Sequence, residues 1–493
     1  MSEPIPAPKE SVEFNKPLEV HETNIPGLVW YDIPVFPDAR GAFSEKYNRQ
    51  KMGELGLPDL GPIQQNVSSN EYSATRGIHA EPWDKFIAVM SGKVFGAWVD
   101  LREGDTFGEV FTLELDASKA IYVPRGVGNG FQAIGPDAYT DDGVKVASNV
   151  YGYLVNQHWS KEAKPLYTYV SLADPTVNIP WPIPLDQAIL SDDDRTHPLI
   201  DDVVPMKPRK ILVTGANGQL GRALRVELPD AEFVDHSDFD ITDPSTWGER
   251  NWRQYQAIIN AGAFTKVDQA ETTEGRHEAW AANAEAPRAI AKIAIENHLT
   301  LVHVSTDYVY DGETEIHEES EPLSPLSVYG QSKAAGDVAV GTVPDHYLVR
   351  TSWVVGDGGN FVKTMRRVGK EDENPRPGVN DQFGRPTFAK DLAKAIKHLL
   401  DTEAPFGTYN VTNEGETTTW AELARQTFEL SGLDPNRIQG VTTEEFFRGR
   451  SPVAPRPSQS TLNLAKIEAT GFAPRPWPEA LRDYIEELDQ LES

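Results

Sequence analysis

KILVTGANGQLG, residues 210–221, is the stretch that decides the fold of the second half of this 493-residue chain. It opens with a short apolar run of the kind found in buried parallel strands. Three glycines follow at a spacing of three: Gly215 permits a tight turn, Gly218 lets the backbone approach a pyrophosphate, and Gly221 lets a helix pack close to the strand. The N–H groups that begin this helix would face the phosphates. A glycine-rich turn between two core elements remains the alternative, because this motif by itself is weak evidence.

After residue 209, apolar runs and helical patterns alternate, which is typical of a doubly wound parallel sheet. The strands are predicted at 211–213, 257–260, 301–305 and 347–350, and later helices at 390–401 and 419–430. We therefore predict a Rossmann α/β domain over residues 209–493. Its late, irregular segments are expected to build a small substrate lobe.

The first half has a different pattern, in which short apolar runs recur about every ten residues. They lie at 28–31, 86–90, 94–99, 110–115, 120–123 and 144–155, with one short helical pattern near 49–55. This predicts a multidomain protein whose first domain, residues 19–205, is an all-β, cupin-like jelly roll. We expect a flexible leader over residues 1–18. We interpret residues 185–208, which are rich in Asp and Pro, as the tail of the domain and a linker.

The composition argues against several classes of protein. A net charge of −29 at pH 7 argues against a surface that binds a nucleic acid polymer. The chain has no cysteine, which excludes disulfides, thiolate metal ligands and a cysteine nucleophile. Its apolar runs are shorter than the roughly 18 residues that a membrane span needs, and no apolar signal core is present near the N-terminus. We therefore expect a cytoplasmic protein with no membrane partner.

The ends of the predicted strands carry the chemistry of the second half. Residues 260–263 are small, which would let a flat cofactor lie against the backbone, and Thr306 ends the next strand with a hydroxyl. Tyr329 and Lys333 are one helical turn apart. We expect the ammonium group to lower the pKa of the tyrosine, which would then exchange a proton with an alcohol or ketone oxygen while a nicotinamide moves the hydride. Each feature alone has a structural explanation, but the ordered set is not expected by chance.

These motifs give the second half a resemblance to a known family. GANGQLG (215–221), NAGAFTKVDQAE (260–271), STDYVYDG (305–312), YGQSK (329–333), RTSW (350–353) and DQFGRPTFAKD (381–391) fit the pattern of the extended short-chain dehydrogenase/reductases and, within them, of dTDP-4-dehydrorhamnose reductase. The resemblance covers about residues 209–490. It implies Thr306, Tyr329 and Lys333 as catalytic residues. It also implies that the sugar is contacted by Tyr308, Trp353 and Gln382.

The same resemblance implies a nicotinamide cofactor, NADPH or NADH. Cofactor-binding residues are expected at Gly215, Asn217, Gly218, Gln219, Leu220, Gly221, Asp240, Ile241, Ala261, Ala263, Thr265, Tyr329 and Lys333. Asp235 favours NADH through the ribose hydroxyls, whereas His236 would tolerate the phosphate of NADPH, so the choice stays open. Some members bind Mg²⁺ through a glutamate just after the glycine turn. This chain has Arg222-Ala223-Leu224-Arg225 there, and we predict no metal.

The β domain has its own polar cluster around His79. A metal-binding jelly roll would carry a second histidine close by in the sequence, and none follows here, so we interpret His79 as a base. A carboxylate on one ring nitrogen would make the other nitrogen a better base, and Asp174 is the candidate partner. A buried structural histidine is the alternative that the residues leave open.

This half resembles dTDP-4-dehydrorhamnose 3,5-epimerase over about residues 25–200. The matching segments are FPDARGAFSE (36–45), RGIH (76–79), VDLR (99–102), TFG (106–108), Asp174 and Trp181-Pro182. The resemblance implies His79 as the base and Asp174 as its orienting partner. It implies Tyr153 as the acid on the opposite face and Lys85 as the group that stabilises an enolate oxygen. Substrate contacts are expected from Arg40, Glu45, Gln64, Asn66 and Arg76, with the arginines at the pyrophosphate.

The two resemblances name consecutive steps of one pathway. They imply a bifunctional enzyme that makes dTDP-L-rhamnose from dTDP-4-dehydro-6-deoxy-D-glucose, and a homodimer through the β domain. Two departures concern the sugar contacts: Ala80 replaces a large residue, and Asn129 stands where the family usually has a second histidine. Two alternatives stay open, a reductase whose β domain only holds substrate, and a nucleotide-binding regulatory protein.

Overall fold

A computed structural model describes residues 12–58, 60–61, 63–139, 145–146, 148–159, 161–247 and 250–492 of the chain. The chain divides into two compact units, Met1–Pro208 and Arg209–Ser493. Most of the predicted leader, residues 1–11, lies outside the described residues, and the first strand begins at Glu19.

The first unit is built mainly of antiparallel strands. Its strands and helix are β1 (Glu19–Glu22), β2 (Val29–Asp32), β3 (Val35–Asp38), β4 (Gly41–Ser44), α1 (Arg49–Glu54), β5 (Gln64–Asn70), β6 (Thr75–Ala80), β7 (Lys85–Ser91), β8 (Val94–Asp100), β9 (Val110–Leu115), β10 (Lys119–Val123), β11 (Val127–Ala133), β12 (Ala138–Tyr139), β13 (Lys145–Val146), β14 (Asn149–Val155) and β15 (Thr168–Tyr169). One sheet has the order β1-β2-β10-β7-β14-β5, and the other has the order β15-β6-β11-β8-β9.

The two sheets of the first unit face each other across a shared core. Ile87 and Ile121 of the six-stranded sheet pack there with Trp98 and Phe131 of the five-stranded sheet. Strand β8 is buried along its whole length, because alternate side chains point to opposite faces of a sheet and both faces are covered. Trp98 faces the core between the sheets, whereas Val99 faces a second core on the other side.

The segment that the sequence predicts to be a tail and linker, residues 185–208, covers this second face. Ile200, Val203 and Met206 are buried in the same core as Val99. This burial removes their apolar side chains from water and closes the outer side of the five-stranded sheet. The segment is therefore a packed part of the first unit rather than a linker.

The second unit alternates strands and helices. Its elements are β16 (Lys210–Thr214), α2 (Gln219–Glu227), β17 (Glu232–Val234), β18 (Tyr255–Asn260), α3 (Thr273–Trp280), α4 (Ala286–Asn297), β19 (Thr300–Thr306), α5 (Val328–Val340), β20 (His346–Thr351), β21 (Val354–Val355), α6 (Phe361–Glu371), β22 (Arg376–Val379), β23 (Phe383–Gly384), β24 (Thr387–Phe388), α7 (Ala389–Asp401), β25 (Gly407–Asn410), β26 (Thr418–Thr419), α8 (Trp420–Leu430), β27 (Ile438–Val441), α9 (Thr443–Phe447), α10 (Ala465–Glu468) and α11 (Trp477–Glu492). The central sheet has the order β17-β16-β18-β19-β20-β25, and all its pairs are parallel.

Helices cover both faces of this sheet, because successive strand residues point in opposite directions. Val213 and Val302 pack with residues of α2 and α7 on one face. Leu212 and Leu301 pack with residues of α4 on the other face. Burial on both faces is why the strands read as continuous apolar runs in the sequence.

The late part of the second unit forms small two-stranded sheets beside the main one. Strand β22 pairs with β27, and β23 pairs with β26. Met365 of α6 and Phe428 of α8 share a separate small core there. Within the part of the chain that the structure describes, no helix combines the length and the apolar character that crossing a membrane requires.

Two candidate active sites

A cavity of about 630 Å³ in the first unit is lined by residues of both sheets and of the segment after residue 190. His79 of β6 lines it, and its Nε2 lies 2.8 Å from Oδ1 of Asp194. Ser191 donates from Oγ to the other oxygen of Asp194, at 2.8 Å. Although burial favours the neutral carboxyl, hydrogen bonds from His79 and Ser191 hold the pKa of Asp194 below its ordinary value. The carboxylate therefore fixes the orientation of the imidazole.

Asp174, the partner that the sequence predicts for His79, does not contact it. The carboxylate of Asp174 accepts hydrogen bonds from the backbone N–H groups of Thr176 and Val177, both at 2.8 Å, and of Ile200, at 2.6 Å. It is a buried group that fixes a turn and holds the C-terminal segment of the unit. The prediction of Asp174 as the orienting carboxylate is wrong, and Asp194 takes that place.

A second imidazole stands beside His79, although the sequence shows none close to it. The ring centroids of His79 and His197 are 5.1 Å apart, with their planes at 77°. His197 comes from the same segment as Asp194, and both line the cavity. Burial, and then the positive charge of His79, lower the pKa of His197.

Tyr153 and Lys85 line the cavity from the other sheet. They lie on the adjacent strands β14 and β7. Burial, reinforced by the charge of Glu81, raises the pKa of Tyr153 to about 12, so its hydroxyl keeps its proton at neutral pH. The Nζ of Lys85 is 2.9 Å from Oε1 of Glu81 and 5.7 Å from the centre of the Tyr153 ring. The cavity thus has an imidazole on one sheet, paired with a carboxylate from the segment after residue 190, and a protonated phenol with an ammonium on the other sheet.

Arg76 is the predicted substrate contact that lines this cavity. Its Nε donates to Oδ1 of Asn70, at 3.0 Å, which holds the guanidinium in place. Asn66 lies opposite Tyr153 in the strand ladder and accepts a hydrogen bond from Nε2 of Gln64, at 3.0 Å. These two amides neighbour the cavity without lining it.

Arg40 and Glu45 lie away from the cavity of their own chain. Arg40 is at the exposed turn between β3 and β4, where its Nη2 is 2.6 Å from Oδ2 of Asp38. Glu45 follows β4 and lies 2.8 Å from Nζ of Lys51. The structure does not bring either residue to His79.

The second unit has a cavity of about 850 Å³ at the carboxyl ends of its parallel strands. The glycine turn forms part of its wall. Gly215 has a φ of 70°, and a Cβ atom built on it would lie 2.7 Å from the backbone N of Gly262. A Cβ on Gly221 would lie 2.2 Å from the carbonyl oxygen of Gly215. The tight turn and the close helix packing that the sequence predicts are both present.

Most of the predicted cofactor and substrate residues of this unit line the cavity. They are Gly215, Asn217, Gly218, Gln219, Leu220, Ala261, Ala263, Thr265, Thr306, Tyr308, Tyr329, Lys333 and Trp353. Loops at the ends of β16, β18 and β19 and the start of α5 therefore meet at one edge of the sheet, where ligands of such sheets bind.

Asp240, Ile241 and Gln382 are predicted site residues that do not line the cavity. Asp240 uses its carboxylate to accept hydrogen bonds from the N–H and hydroxyl of Thr242, at 2.8 and 2.7 Å. Ile241 packs under Gly262, which lines the cavity. Gln382 is buried, and its Oε1 accepts a hydrogen bond from Nε1 of Trp420, at 3.2 Å.

Tyr329 and Lys333 both reach the cavity from α5, but the pKa of the tyrosine is not lowered as predicted. Burial, followed by the charge of Asp307, raises the pKa of Tyr329 above its ordinary value. The Nζ of Lys333 instead donates to the carbonyl oxygen of Val304, at 2.6 Å, and lies 3.3 Å from Nε2 of His303. Burial lowers the pKa of Lys333 to about 8. Because its pKa is raised, the hydroxyl of Tyr329 keeps its proton at neutral pH.

Thr306 is held by its neighbour rather than left free. Its Oγ1 donates to Oδ1 of Asp307 at 2.9 Å, and the N–H of Tyr308 donates to the same Oγ1 at 3.3 Å. Asp307 is buried, and burial raises the pKa of its carboxyl to about 6. The threonine hydroxyl is thereby oriented at the end of β19.

A chain of buried hydrogen bonds crosses three strands to reach Lys333. Thr214 donates to Oδ1 of Asn260 at 2.8 Å, and Nδ2 of Asn260 lies 3.0 Å from Nδ1 of His303. Burial and the charge of Lys333 lower the pKa of His303 well below its ordinary value, so its ring is neutral. The contact of His303 with Lys333 is not among the sequence predictions. The signal for it is a histidine inside the apolar run LVHVS, residues 301–305.

Comparison with known proteins identifies both units. Residues 209–490 match the family model described as RmlD substrate binding domain, and residues 22–202 match that of dTDP-4-dehydrorhamnose 3,5-epimerase. The first unit is similar to the Protein RmlC homolog of Streptococcus pyogenes, with 46% identity over 204 residues, which are 40% of this chain and 98% of the relative. The second is similar to the dTDP-4-dehydrorhamnose reductase of Mycobacterium tuberculosis, with 37% identity over 292 residues, 56% of this chain and 92% of the relative.

The chain belongs to both the dTDP-4-dehydrorhamnose 3,5-epimerase family and the dTDP-4-dehydrorhamnose reductase family. A solved structure similar to its reductase unit is the dTDP-4-dehydrorhamnose reductase of Bacillus anthracis in complex with NADP. That structure has 36% identity and a TM-score of 0.52, and the match covers 57% of this chain and 99% of that one. The protein is a bifunctional enzyme of dTDP-L-rhamnose synthesis.

The two departures from the epimerase pattern leave its cavity intact. Ala80 is fully buried at the end of β6. Asn129 lies opposite His79 in the strand ladder, and its Oδ1 accepts a hydrogen bond from the hydroxyl of Tyr151, at 3.0 Å. The ladder position opposite His79 therefore carries an amide, and the second imidazole beside His79 is that of His197.

Proposed function

We propose that the first unit inverts carbons 3 and 5 of dTDP-4-dehydro-6-deoxy-D-glucose and that the second unit reduces the resulting ketone to dTDP-L-rhamnose. The observation that carries the epimerase assignment is the His79–Asp194 pair, which shares one cavity with the protonated hydroxyl of Tyr153. A base and an acid on two different sheets are what inversion of a carbon beside a carbonyl requires, because one face loses a proton and the other gains one.

In the epimerase cavity, Asp194 holds Nε2 of His79, and Nδ1 is the nitrogen that removes the proton beside the ketone. The ammonium of Lys85 stabilises the negative charge that develops on the ketone oxygen. Tyr153 then gives its proton to the opposite face of the carbon. Arg76 holds the pyrophosphate of the substrate as a charge-assisted donor.

In the reductase cavity, Tyr329 gives a proton to the ketone oxygen and Thr306 positions that oxygen. Lys333 follows Tyr329 by one turn of α5, and its ammonium, held by Val304 and His303, would stabilise the phenolate that Tyr329 becomes. The glycine turn of residues 215–221 and the start of α2 hold the coenzyme pyrophosphate. NADPH or NADH supplies the hydride when bound. A relative in complex with NADP supports NADPH, and Asp235, at the end of β17, supports NADH.

The exposed hairpin β3–β4 supports a homodimer through the epimerase domain. Phe36 and Phe43 face each other across this hairpin and are 50% and 67% exposed. Large exposed aromatic side chains next to Arg40 are suited to a partner subunit, whose substrate Arg40 would then reach. The epimerase domain is a jelly roll within residues 19–205, and the reductase domain is a Rossmann fold over residues 209–493. The two proposed reactions use nucleotide sugars and a nicotinamide coenzyme, which supports a cytoplasmic location.

Complementation between two variants of the full chain tests this assignment. We expect His79→Ala alone, and Tyr329→Phe alone, to form no dTDP-L-rhamnose from dTDP-4-dehydro-6-deoxy-D-glucose and NADPH. Mixing the two chains should restore the product, because one supplies the epimerised ketone and the other reduces it. Product formation by His79→Ala alone would instead support the rival in which the β domain only holds substrate.

A further inference from the structure

Inversion of two carbons in one substrate uses the same base twice. Each inversion moves one proton from carbon to His79 and one proton from Tyr153 to the other face. After the first inversion His79 is an imidazolium and Tyr153 is a phenolate. Both must be reset after each inversion, so a group that takes the proton from His79 decides how fast the second carbon reacts while the substrate stays bound.

His197 is the side chain placed to do this. A ring nitrogen of His79, a ring nitrogen of His197 and a carboxylate oxygen of Asp194 all lie within 4.8 Å of one another. The two rings meet edge to face, with centroids 5.1 Å apart. A separation of this size between polar atoms can be spanned by one bridging water.

The surroundings of His197 keep its ring able to accept a proton. It is tilted against Tyr169, with ring centroids 4.8 Å apart, and the charged groups that face it are His79, Asp193 and Asp194. Burial and the charge of His79 lower its pKa, against the opposite effect of the two aspartates. The ring is therefore neutral at pH 7. Its Nδ1 is buried without a hydrogen-bond partner and can accept a proton, whereas the residue as a whole is partly exposed.

We propose that His197 is a proton relay that resets His79 between the two inversions, an inference that rests on the proposed epimerase function. The Nδ1–H bond that His79 gained from the carbon breaks and an N–H bond forms at His197, while Nε2 of His79 stays paired with Asp194. His197 then releases the proton to water, and Tyr153 regains its proton from water. The step moves one positive charge and needs no oxidant, reductant or cofactor. Asn129, on the ladder position opposite His79, cannot replace it because an amide does not titrate near pH 7.

The same three groups are the residue types of a two-histidine, one-carboxylate metal site. We favour proton transfer because His79 and Asp194 already meet at 2.8 Å, the length of a direct hydrogen bond. A second cluster, Glu19, His21 and Asp32, has an equally short contact between His21 and Asp32, at 2.8 Å, on the edge of the other sheet. His21 is therefore a matched control, a histidine paired with an aspartate outside the cavity.

The test follows, in a single turnover with the full chain in excess of substrate, exchange of the C3 and C5 protons of dTDP-4-dehydro-6-deoxy-D-glucose in D₂O by NMR, with a metal chelator and no coenzyme. We expect His197→Ala to exchange the first proton within about twofold of the unaltered rate and the second proton about tenfold more slowly. Added imidazole should restore the second exchange in proportion to its concentration. His21→Gln should exchange both protons at the unaltered rates.

Equal losses of both exchanges in His197→Ala, or second exchange that is unaffected by the substitution, would overturn the relay. Failure of imidazole to restore the second exchange would also contradict it. Folding of the His197→Ala chain is checked by a reductase assay. In this assay the Tyr329→Phe chain supplies the epimerised ketone, and the His197→Ala chain reduces it. Absence of any exchange by the unaltered chain would refute the proposed epimerase function itself, which is a different result from a failure of the relay alone.

Discussion

The proposed catalytic side chains of the reductase unit lie at one edge of a parallel sheet, whereas those of the epimerase unit come from two sheets and a segment with little regular structure. Thr306 ends β19 and Tyr329 lies in the first turn of α5, so the topology of the fold alone brings them together. His79 and Asp194 meet only because residues 191–200 fold back over the five-stranded sheet. The first arrangement follows from regular elements, and the second depends on one irregular segment.

The two sites also differ in how they treat charge. Lys333 is fully buried, and burial lowers its pKa to about 8 against the opposite effect of the charge of Asp337. Its ammonium contacts the neutral His303 and the carbonyl of Val304. In the epimerase, the imidazole of His79 is partly exposed and has a carboxylate partner. The ammonium of the reductase site is therefore shielded from water, whereas the imidazole of the epimerase site is in part accessible to it.

The largest expected effect separates the two activities. Tyr329→Phe removes the proton donor of the reductase, and we expect reduction of the ketone to fall by about 10³-fold, since general acid catalysis contributes 10²–10⁴. Exchange of the C3 and C5 protons should stay within about twofold of the unaltered rate. Coenzyme oxidation and NMR in D₂O measure the two activities, and retained oxidation would contradict the proposed role.

A matched pair of aspartates tests the epimerase more sharply. Asp194→Asn should lower proton exchange by about 10²-fold, because the amide no longer stabilises the imidazolium of His79. Asp174→Asn should instead lower the free energy of unfolding by about 1–3 kcal/mol through weaker hydrogen bonds to three backbone N–H groups. Exchange rates of the folded variants and their thermal melts distinguish the two aspartates. Loss of exchange in Asp174→Asn, with unaltered exchange in Asp194→Asn, would make Asp174 the partner of His79.

These aspartates also show how far sequence reasoning reaches. The glycine turn, the strand ends and the Tyr329–Lys333 pair were predicted because each lies in a contiguous stretch whose geometry is local. The predicted strands 211–213 and 301–305 are each two residues longer in the structure, because the residues that extend them at each end are polar and lie outside the apolar runs. Asp194 lies in SDDDRTHP, an acidic run whose composition indicates a tail or linker. Its packing against the first unit depends on residues far away in the chain, and such contacts leave no local signal in the sequence.

His303 is a smaller test of the reductase unit. His303→Leu removes an acceptor from Lys333 and should lower the reduction rate about tenfold, because one such hydrogen bond is worth about 1 kcal/mol and its loss leaves a buried ammonium short of a partner. His303→Gln keeps an acceptor and should retain most of the activity. Ketone supplied by the Tyr329→Phe chain isolates this step, and unaltered rates in His303→Leu would contradict the role.

Asp307 is expected to make the smallest difference. Its folded-state pKa is raised to about 6, so in the folded chain it stays neutral at pH values where the unfolded chain has already lost that proton. Relative to Asp307→Asn, the free energy of unfolding should therefore fall by about 1 kcal/mol as the pH rises from about 5 to about 6.5. Denaturant titrations of both chains measure this, and a parallel pH dependence would show that Asp307 ionises normally.

The central claim is that one polypeptide first moves protons at two carbons and then reduces the ketone between them. The most direct measurement runs the complete reaction in D₂O with the unaltered chain, dTDP-4-dehydro-6-deoxy-D-glucose and NADPH, and locates deuterium in the product by NMR. The account predicts dTDP-L-rhamnose with deuterium at both C3 and C5. A reduced sugar that keeps its original hydrogen at either carbon, or that retains the D-gluco configuration there, would contradict it.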